Sequence, residues 1–418
     1  MKNSIKTIIS GLGLLALALP NMAAAQEATA TPPPAATPAT TAAVTSDAPA
    51  AAPEPAEPAA EPTPEPTPEP KKEPEAAAAP APANEPPEVP PEVEKPNGYL
   101  DPKINIGTGI RVEYAMLTNP IDHRVGTNIR PYINGQVSKH IKFEANLDSA
   151  LTVAGGDTVA TIRILDAVIK LELHDLVNFW VGRFLPPSDR ANLSGPYFQN
   201  SWNYPAQVNA FPGIYAGRHD GAAYWGQVAK GKLKWQAGIF DATGSDSNPL
   251  FAGRVVYNVF DPEGGYYNSS TYYGTKDVLA IAGTIHHQKG GAGGSQLDGI
   301  AIETDVLFEK PLNDGAAGTL TVEGAYYNFE NTEQGQSFMA NLSYLLPGKQ
   351  GPGTLQPQGR LQYMFPEAGD SYPTIDAAIN YIVDGHNCRF TLNYQHIGQH
   401  DAIDAQNLIT LGGQIQMF

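Results

Sequence analysis

Apolar and polar residues alternate with a period of two through most of the chain after residue 96. In the first such run Ile110 and Val112 fall on one face, and Arg111 and Glu113 fall on the other. Side chains of a β-strand point alternately to its two faces, so this period is typical of a strand with one apolar and one polar face. No convincing helical period occurs in this region, which predicts an all-β domain.

Clusters of Gly, Pro, Asn and Asp separate the alternating runs and act as turn signals. The runs predict about sixteen strands. They are expected near 103–116, 128–138, 141–149, 159–172, 177–185, 220–229, 232–241, 252–260, 277–287, 298–309, 318–329, 337–346, 358–365, 374–383, 388–397 and 405–418. An even number of antiparallel strands brings the chain back to the side on which it started, so we expect both ends of the domain there.

Charged and amide side chains recur on the polar face of run after run. Arg130 does so in the second run, and Glu303 and Asp305 do so in the tenth. In a soluble sandwich the inner face of each sheet has to meet a partner sheet, whereas the lumen of a large barrel is polar and filled with water. The pattern therefore predicts a transmembrane antiparallel β-barrel of about 16 strands, with its apolar face in contact with outer-membrane lipids.

The last run, 405–418, sets Leu411 and Ile415 against Gln414 and ends on Phe418. A C-terminal strand with a final aromatic residue is what the barrel assembly machinery of the outer membrane reads. We therefore expect that machinery to bind the strand that ends in Phe418. The alternative interpretation is an edge strand of a soluble β-protein.

The N-terminal part of the chain has a different composition. Lys2 and Lys6 precede a short apolar run and three alanines, which is the pattern of a cleaved secretory signal peptide. We expect the signal peptide at 1–25, a disordered Pro/Ala/Glu-rich segment at 26–96 and the barrel at 97–418. The middle segment carries 13 acidic residues and 3 lysines and almost no aliphatic side chains, so it cannot form a core. In the periplasm it is either a passive spacer or a tether to the peptidoglycan.

One connection is much longer than the others and runs from 186 to 219. It is rich in aromatic and amide residues, and a loop of this length is usually functional. Such a loop is expected to pack inside the barrel and narrow it, with an external flap or plug as the alternative. In the first case Arg190 and Arg218 lie near the narrowest point, and their neighbours Asp189 and Asp220 partly cancel their field.

Several runs carry a family resemblance: ILDAVIKLEL, FWVGRFLPPSDRANLSGPYF, GRVVYNVFDPEGGYY, SFMANLSYLLPG and INYIVDGHNCRFTLNYQH. With them the domain resembles the phosphate-selective porin O and P family. The resemblance implies a 16-stranded porin of the outer membrane that assembles as a homotrimer. It covers most of the barrel and none of the Pro-rich segment.

The expected function is passive diffusion of small polar or charged solutes, including anions such as phosphate, through a water-filled channel. The alternative is a structural barrel that tethers the Pro-rich arm to the cell wall. Further residues expected in the lumen are Arg111, Glu113, Arg130, Arg183, Glu303 and Asp305. The domain holds 21 Lys and Arg against 30 Asp and Glu, which predicts a weakly selective pore without a tight phosphate site.

Enzymatic activity, cofactors and nucleic-acid binding have no support in the sequence. His286 and His287 are adjacent and point to opposite faces of a strand, so they cannot bind one metal ion together. No phosphate-binding glycine loop and no basic tract occurs. We therefore expect no catalytic, metal or cofactor site.

Overall fold

The computed structural model describes residues 103–118, 121–154, 157–206, 218–241, 248–290, 298–331, 334–401 and 403–417. The predicted signal peptide, the Pro-rich segment and Phe418 lie outside these residues. No helix in the described ranges is long and apolar enough to cross a membrane.

Sixteen strands follow one another along the chain. They are β1 (Lys103–Thr118), β2 (Ile121–Gln136), β3 (Ile141–Ala154), β4 (Asp157–His174), β5 (Val177–Phe184), β6 (His219–Val228), β7 (Leu233–Asp241), β8 (Leu250–Asn258), β9 (Val278–Gln288), β10 (Gly299–Pro311), β11 (Thr319–Glu330), β12 (Gly335–Leu345), β13 (Thr354–Phe365), β14 (Tyr372–Asp384), β15 (Cys388–Ile397) and β16 (Gln406–Met417). Each pairs with its neighbours, and β1 pairs with β16, which closes the barrel. The predicted fold class is confirmed.

The two faces of the strands differ as the alternation predicts. On β1 Ile110 and Val112 are 38% and 46% exposed, whereas Arg111 and Glu113, which alternate with them, are buried. On β16 the exposed residues include Leu411 and Ile415, and Gln414 is buried. The exterior is therefore largely apolar and the interior largely polar. An exposed apolar surface that continues around a whole barrel is expected to face lipid.

The connection between β5 and β6 enters the barrel. It contains the short helix α1 (Arg190–Phe198), whose N-terminus is capped by the carboxylate of Asp189. The loop is described as far as Ala206, and it touches inward side chains of distant strands. Asn200 is hydrogen-bonded to Ser343 on β12, and the backbone N–H of Ala206 donates to Gln362 on β13. The described part of the loop thus lies inside the barrel, as the first alternative predicted.

A second connection, 259–277 between β8 and β9, enters from the opposite end of the barrel. It meets α1 directly, because the N–H of Ser270 donates to the carbonyl of Phe198 at 3.1 Å. Glu309 on β10 fixes this loop by accepting from the N–H groups of Tyr272 and Gly274. The sequence interpretation did not anticipate this loop inside the barrel.

A cluster of aromatic side chains packs between the inner face of β5 to β7 and the second loop. Trp180, Phe184 and Tyr266 are buried there in contact with Trp225 and Phe240. Trp180 and Tyr266 stack with their ring centroids 4.5 Å apart. Such pairs add stability beyond the burial of their apolar area. This cluster gives the lumen a packed core on one side.

Two glycines on the inner wall allow the first loop to approach closely. A Cβ atom at Gly109 of β1 would lie 2.6 Å from the ring of Tyr197, and one at Gly412 of β16 would lie 2.5 Å from the ring of Trp202. Both distances are far below contact distance, so only glycine permits these rings to lie against the wall. The loop position is therefore encoded in the strands as well as in the loop.

Candidate pore and its inserted loops

Arg190 joins the two inserted loops. Its guanidinium binds both carboxylate oxygens of Glu263, at 2.8 and 2.7 Å, and donates to the carbonyl of Ser269 at 2.6 Å. Its Nε lies 3.5 Å from Asp305 on β10, and its backbone N–H donates to the same carboxylate. Burial disfavours the charge on Glu263, but the charge and hydrogen bonds of Arg190 lower the pKa of Glu263 to about 2. Arg190 is thus a buried anchor rather than a group beside the passage.

Asp189 and Arg190 do not pair with each other, although they are adjacent. Asp189 accepts from Asn192 and Ser188 within the loop and from the hydroxyl of Tyr327 on β11, at 2.8 Å. Burial raises the pKa of Asp189 to about 6, and the charge of Glu303 adds to the effect. Each side chain thus has partners on other elements, and the expected partial cancellation of their fields stays a prediction.

Strand β10 supplies the acidic side of this anchor. Arg254 on β8 forms a bidentate pair with Asp305, at 2.5 and 3.0 Å. Glu303 lies 3.5 Å from Nδ1 of His286, whose Nε2 contacts the carbonyl of Pro187 at 2.7 Å. Glu303 and Asp305 face the interior as predicted, and both hold the base of the loop.

Strand β1 holds the far part of the same loop. Arg111 donates to the carbonyls of Pro196 and Trp202, at 3.1 and 3.0 Å, and its guanidinium lies 4.0 Å from the centre of the Trp202 ring. Glu113 accepts from the indole N–H of Trp202 at 2.8 Å and pairs with Arg124 on β2. On β15, Arg389 donates to the carbonyl of Gln199 at 2.6 Å. Arginine forks therefore fix the loop by its backbone oxygens.

A cavity of about 550 Å³ lies beside the loops, along the wall formed by β2, β3 and β4. Arg130, Glu144 and Asp166 line its wall side. On the loop side it is bounded by α1, by the second loop and by His386 from the β14–β15 turn. Arg218, just before β6, completes the lining. This cavity is the candidate passage through the barrel.

Every charged side chain of the cavity wall has an oppositely charged partner. Arg130 lies 2.6 Å from Asp148, and Arg218 lies 3.0 Å from Asp166. Glu144 pairs with Lys170. Arg218 therefore pairs with a residue of β4, whereas its sequence neighbour Asp220 pairs with Arg183. The passage offers alternating charges without an excess of cations.

Arg183 and Asp220 are placed differently from the prediction. They form a 3.1 Å ion pair on the outward face of β5 and β6, where both are solvent-exposed in part. Arg183 shares its face with Phe179 and Val181, which are exposed apolar residues. Their assignment to the lumen is wrong, because strand parity turns them outward.

The sequence interpretation missed three groups that shape the interior: Glu263, Asp166 and the tyrosines of the second loop. A signal for that loop exists, since the stretch DPEGGYYNSSTYYGT between β8 and β9 is as aromatic as the longer connection. The same packing argument would have placed it inside. In the part of the chain that the structure describes, no three His, Cys, Asp or Glu side chains are grouped as a metal site requires.

No family model matches the chain, and no curated protein does. Solved structures do. The complex of Salmonella typhi OmpF with daunomycin is 10% identical with a TM-score of 0.54, and the match covers 75% of this chain and 98% of that chain. The high-pH structure of Pseudomonas putida OprB is 10% identical with a TM-score of 0.56, covering 76% and 94%.

An anion-selective porin from Comamonas acidovorans is 13% identical with a TM-score of 0.50, and the match covers 76% of this chain and 100% of that chain. At such low identity the likeness establishes the fold. The described residues form a 16-stranded barrel of the porin type, with its longest described connection folded inward.

Proposed function

We propose that the protein is a porin of the Gram-negative outer membrane, through which small polar or charged solutes diffuse passively. The observation that carries this proposal is the cavity beside the two loops, enclosed by a barrel with an apolar exterior. Charges of both signs in a narrow, low-dielectric passage orient water and polar solutes and exclude apolar ones. The porin-type likeness supports the same assignment.

The arrangement of charges supports weak ionic selectivity. Arg130 and Arg218 are the guanidinium groups that line the cavity, and each is paired with a carboxylate. Each guanidinium already contacts a carboxylate through its Nε, and that negative charge weakens the attraction of the site for a phosphate ion. We therefore propose a general passage without a tight phosphate site, which differs from the phosphate selectivity that the family resemblance implies.

Membrane position and assembly follow from the same proposal. The first and last described residues, Lys103 and Met417, belong to β1 and β16 and lie at one end of the barrel. We propose that this end lies in the periplasm, with the Pro-rich segment as a spacer or as a tether to the peptidoglycan. A homotrimer and insertion by the barrel assembly machinery through the strand ending in Phe418 complete the proposal.

Planar bilayers test the channel directly. The purified full-length protein, added to a bilayer between symmetric KCl solutions, is expected to give stepwise current increases. Detergent alone and protein unfolded by boiling are the controls. A folded barrel that gives no steps would favour the alternative, a structural barrel that tethers the Pro-rich arm to the cell wall.

A further inference from the structure

The lining of the cavity is unusual for an ion pathway, because much of it is aromatic or aliphatic. Leu193, Pro196 and Phe198 of the first loop line it, together with Leu165 and Tyr132 of the wall. Its volume of about 550 Å³ falls in the range of small-molecule sites, which is about 300–1,000 Å³. The lining therefore offers contact area to the carbon atoms of a solute.

Tyrosine rings border this space. Tyr132 of β2 and Tyr197 of α1 meet edge to face, with centroids 6.5 Å apart, and Tyr267 of the second loop borders the same cavity. The guanidinium of Arg130 lies 5.9 Å from the Tyr197 ring, and the ammonium of Lys170 lies 6.0 Å from the Tyr267 ring. These contacts hold the rings in place at the border of the cavity.

The cavity offers little net charge to a solute. Its guanidinium groups and carboxylates are paired, and Asp148 is further held by Arg163 at 2.9 Å. On the loop side, burial and then the charge of Arg389 lower the pKa of His386 to about 4, so this imidazole is neutral at pH 7. An ion entering the cavity would have to compete with established pairs, whereas a neutral solute would not.

Amide side chains supply the polar contacts. Asn134 and Asn146 of the wall, and Asn192 and Asn268 of the loops, border the cavity. Asn146 is 4% exposed and donates to Glu144 and Asp166, but its Oδ1 has no hydrogen-bond partner among the described residues. A buried acceptor of this kind is costly unless a hydroxyl or water donates to it.

We propose that this cavity binds neutral sugars as they pass, with the sugar ring against the tyrosines and its hydroxyl groups on the asparagines. The proposal rests on the channel function and names its preferred class of solute. A pyranose ring has one face of C–H groups and a rim of hydroxyl groups, so it matches flat aromatic rings beside amides. Charged solutes of the same size would meet side chains that are already held in ion pairs.

A titration of single-channel current tests the proposal. Cellobiose is the probe, because it is neutral and has two sugar rings. We expect it to reduce the KCl current of the wild-type channel saturably. Sorbitol, which has hydroxyl groups but no ring, should act only through viscosity, and phosphate should cause no saturable block.

Variants assign the effect to the rings. Replacing Tyr132 or Tyr267 by Leu should raise the half-saturating cellobiose concentration about fivefold for each ring lost. Tyr132→Phe keeps the ring and should bind as the wild type does. Tyr326→Leu changes an exposed tyrosine on the outward face and is the matched control.

The outcomes separate the two proposals. Normal current steps with a cellobiose effect no stronger than that of sorbitol would overturn the sugar site and leave the channel intact. A saturable block by phosphate would overturn the preference for neutral solutes and indicate an anion site instead. If no steps occur, binding can still be measured through the intrinsic tryptophan fluorescence, since the Trp180 ring lies 5.7 Å from that of Tyr267. A cellobiose-dependent change would then support the site while the channel proposal fails.

Discussion

Arg190 of α1 and Glu263 of the second loop form a bidentate ion pair in which both side chains are only 1% exposed. The two residues belong to loops that enter the barrel from opposite ends. A fork of two parallel hydrogen bonds fixes both the distance and the orientation of its partners. Each loop therefore stabilises the position of the other, and we expect the width of the passage to depend on this contact.

Replacing Arg190 by Ala should release the loops. The change leaves Glu263 buried without its partner, and breaking a buried pair on one side costs about 3–5 kcal/mol. We expect the variant to insert normally but to conduct larger and noisier currents than the wild type. Bilayer recordings measure the current, and limited proteolysis of the folded barrel measures the exposure of the loop.

The control for this variant is Arg183→Ala. Arg183 also forms an ion pair, with Asp220, but that pair is outward and partly exposed. Exposed pairs contribute about 1 kcal/mol or less, so conductance and proteolysis should stay at wild-type values. Similar changes in both variants would mean that Arg190 has no special role as an anchor.

Asp189 should make stability depend on pH. Burial first, and then the charge of Glu303, raise the pKa of Asp189 from 3.8 to about 6, so the folded protein holds this proton more tightly than the unfolded chain. The protonated form is favoured in the fold, and stability is lost as the pH rises from about 4 to about 6. The loss should approach at most about 3 kcal/mol.

The variant Asp189→Asn isolates that contribution, because Asn keeps a side-chain oxygen for capping α1 and does not titrate. Urea unfolding midpoints of both proteins should be compared between pH 4 and pH 7. We expect the wild type to lose stability relative to the variant across this interval. A constant difference would show that Asp189 has an ordinary pKa.

The sequence predicted the barrel well because the alternation of apolar and polar residues directly indicates which side chains face outward and which face inward. In β16 the outward set containing Leu411 and Ile415 could be read directly from the printed residues. The start of β2 was less clear, since the polar residues Asp122, His123 and Arg124 follow directly on Ile121. Arg124 nevertheless faces the interior and pairs with Glu113. A charged residue near a turn resembles a loop residue when its partner on the neighbouring strand is unknown.

The pairing of the interior charges could not be predicted in the same way. Arg190 meets Glu263, 73 positions away along the chain, and nothing local in the sequence specifies that contact. The position of Arg183, by contrast, could have been predicted. It has the same parity as the apolar residues Phe179 and Val181, which indicates the outward face. Periodicity thus determines the face of a residue, whereas the partner depends on how two loops fold together.

Arg111 provides a test of the far part of the first loop. It binds the carbonyls of Pro196 and Trp202 together and lies over the Trp202 ring. A lysine has no planar fork and cannot reproduce this set of contacts. We expect Arg111→Lys to assemble normally and to conduct more current than the wild type, by less than Arg190→Ala does. Unchanged conductance would show that the loop stays in place without the guanidinium of Arg111.

Ionic selectivity should respond to the pair that Arg218 and Asp166 form at the cavity. Replacing Arg218 by Gln leaves the carboxylate of Asp166 unpaired beside the passage, which favours cations. Replacing Asp166 by Asn leaves the guanidinium of Arg218 and favours anions. Because one charge near a narrow, partly screened passage changes local ion concentrations moderately, the permeability ratio should change roughly two- to threefold, in opposite directions.

Reversal potentials in a KCl gradient measure both shifts, and Arg183→Gln is the matched control because Arg183 lies on the outward face. The wild type itself should be only weakly selective, since Arg218 lies 3.0 Å from Asp166 and Arg130 lies 2.6 Å from Asp148. If Arg183→Gln moves the reversal potential as much as Arg218→Gln does, the cavity along β2, β3 and β4 is not the ion path. Block of the chloride current by micromolar phosphate would instead restore a phosphate-selective function.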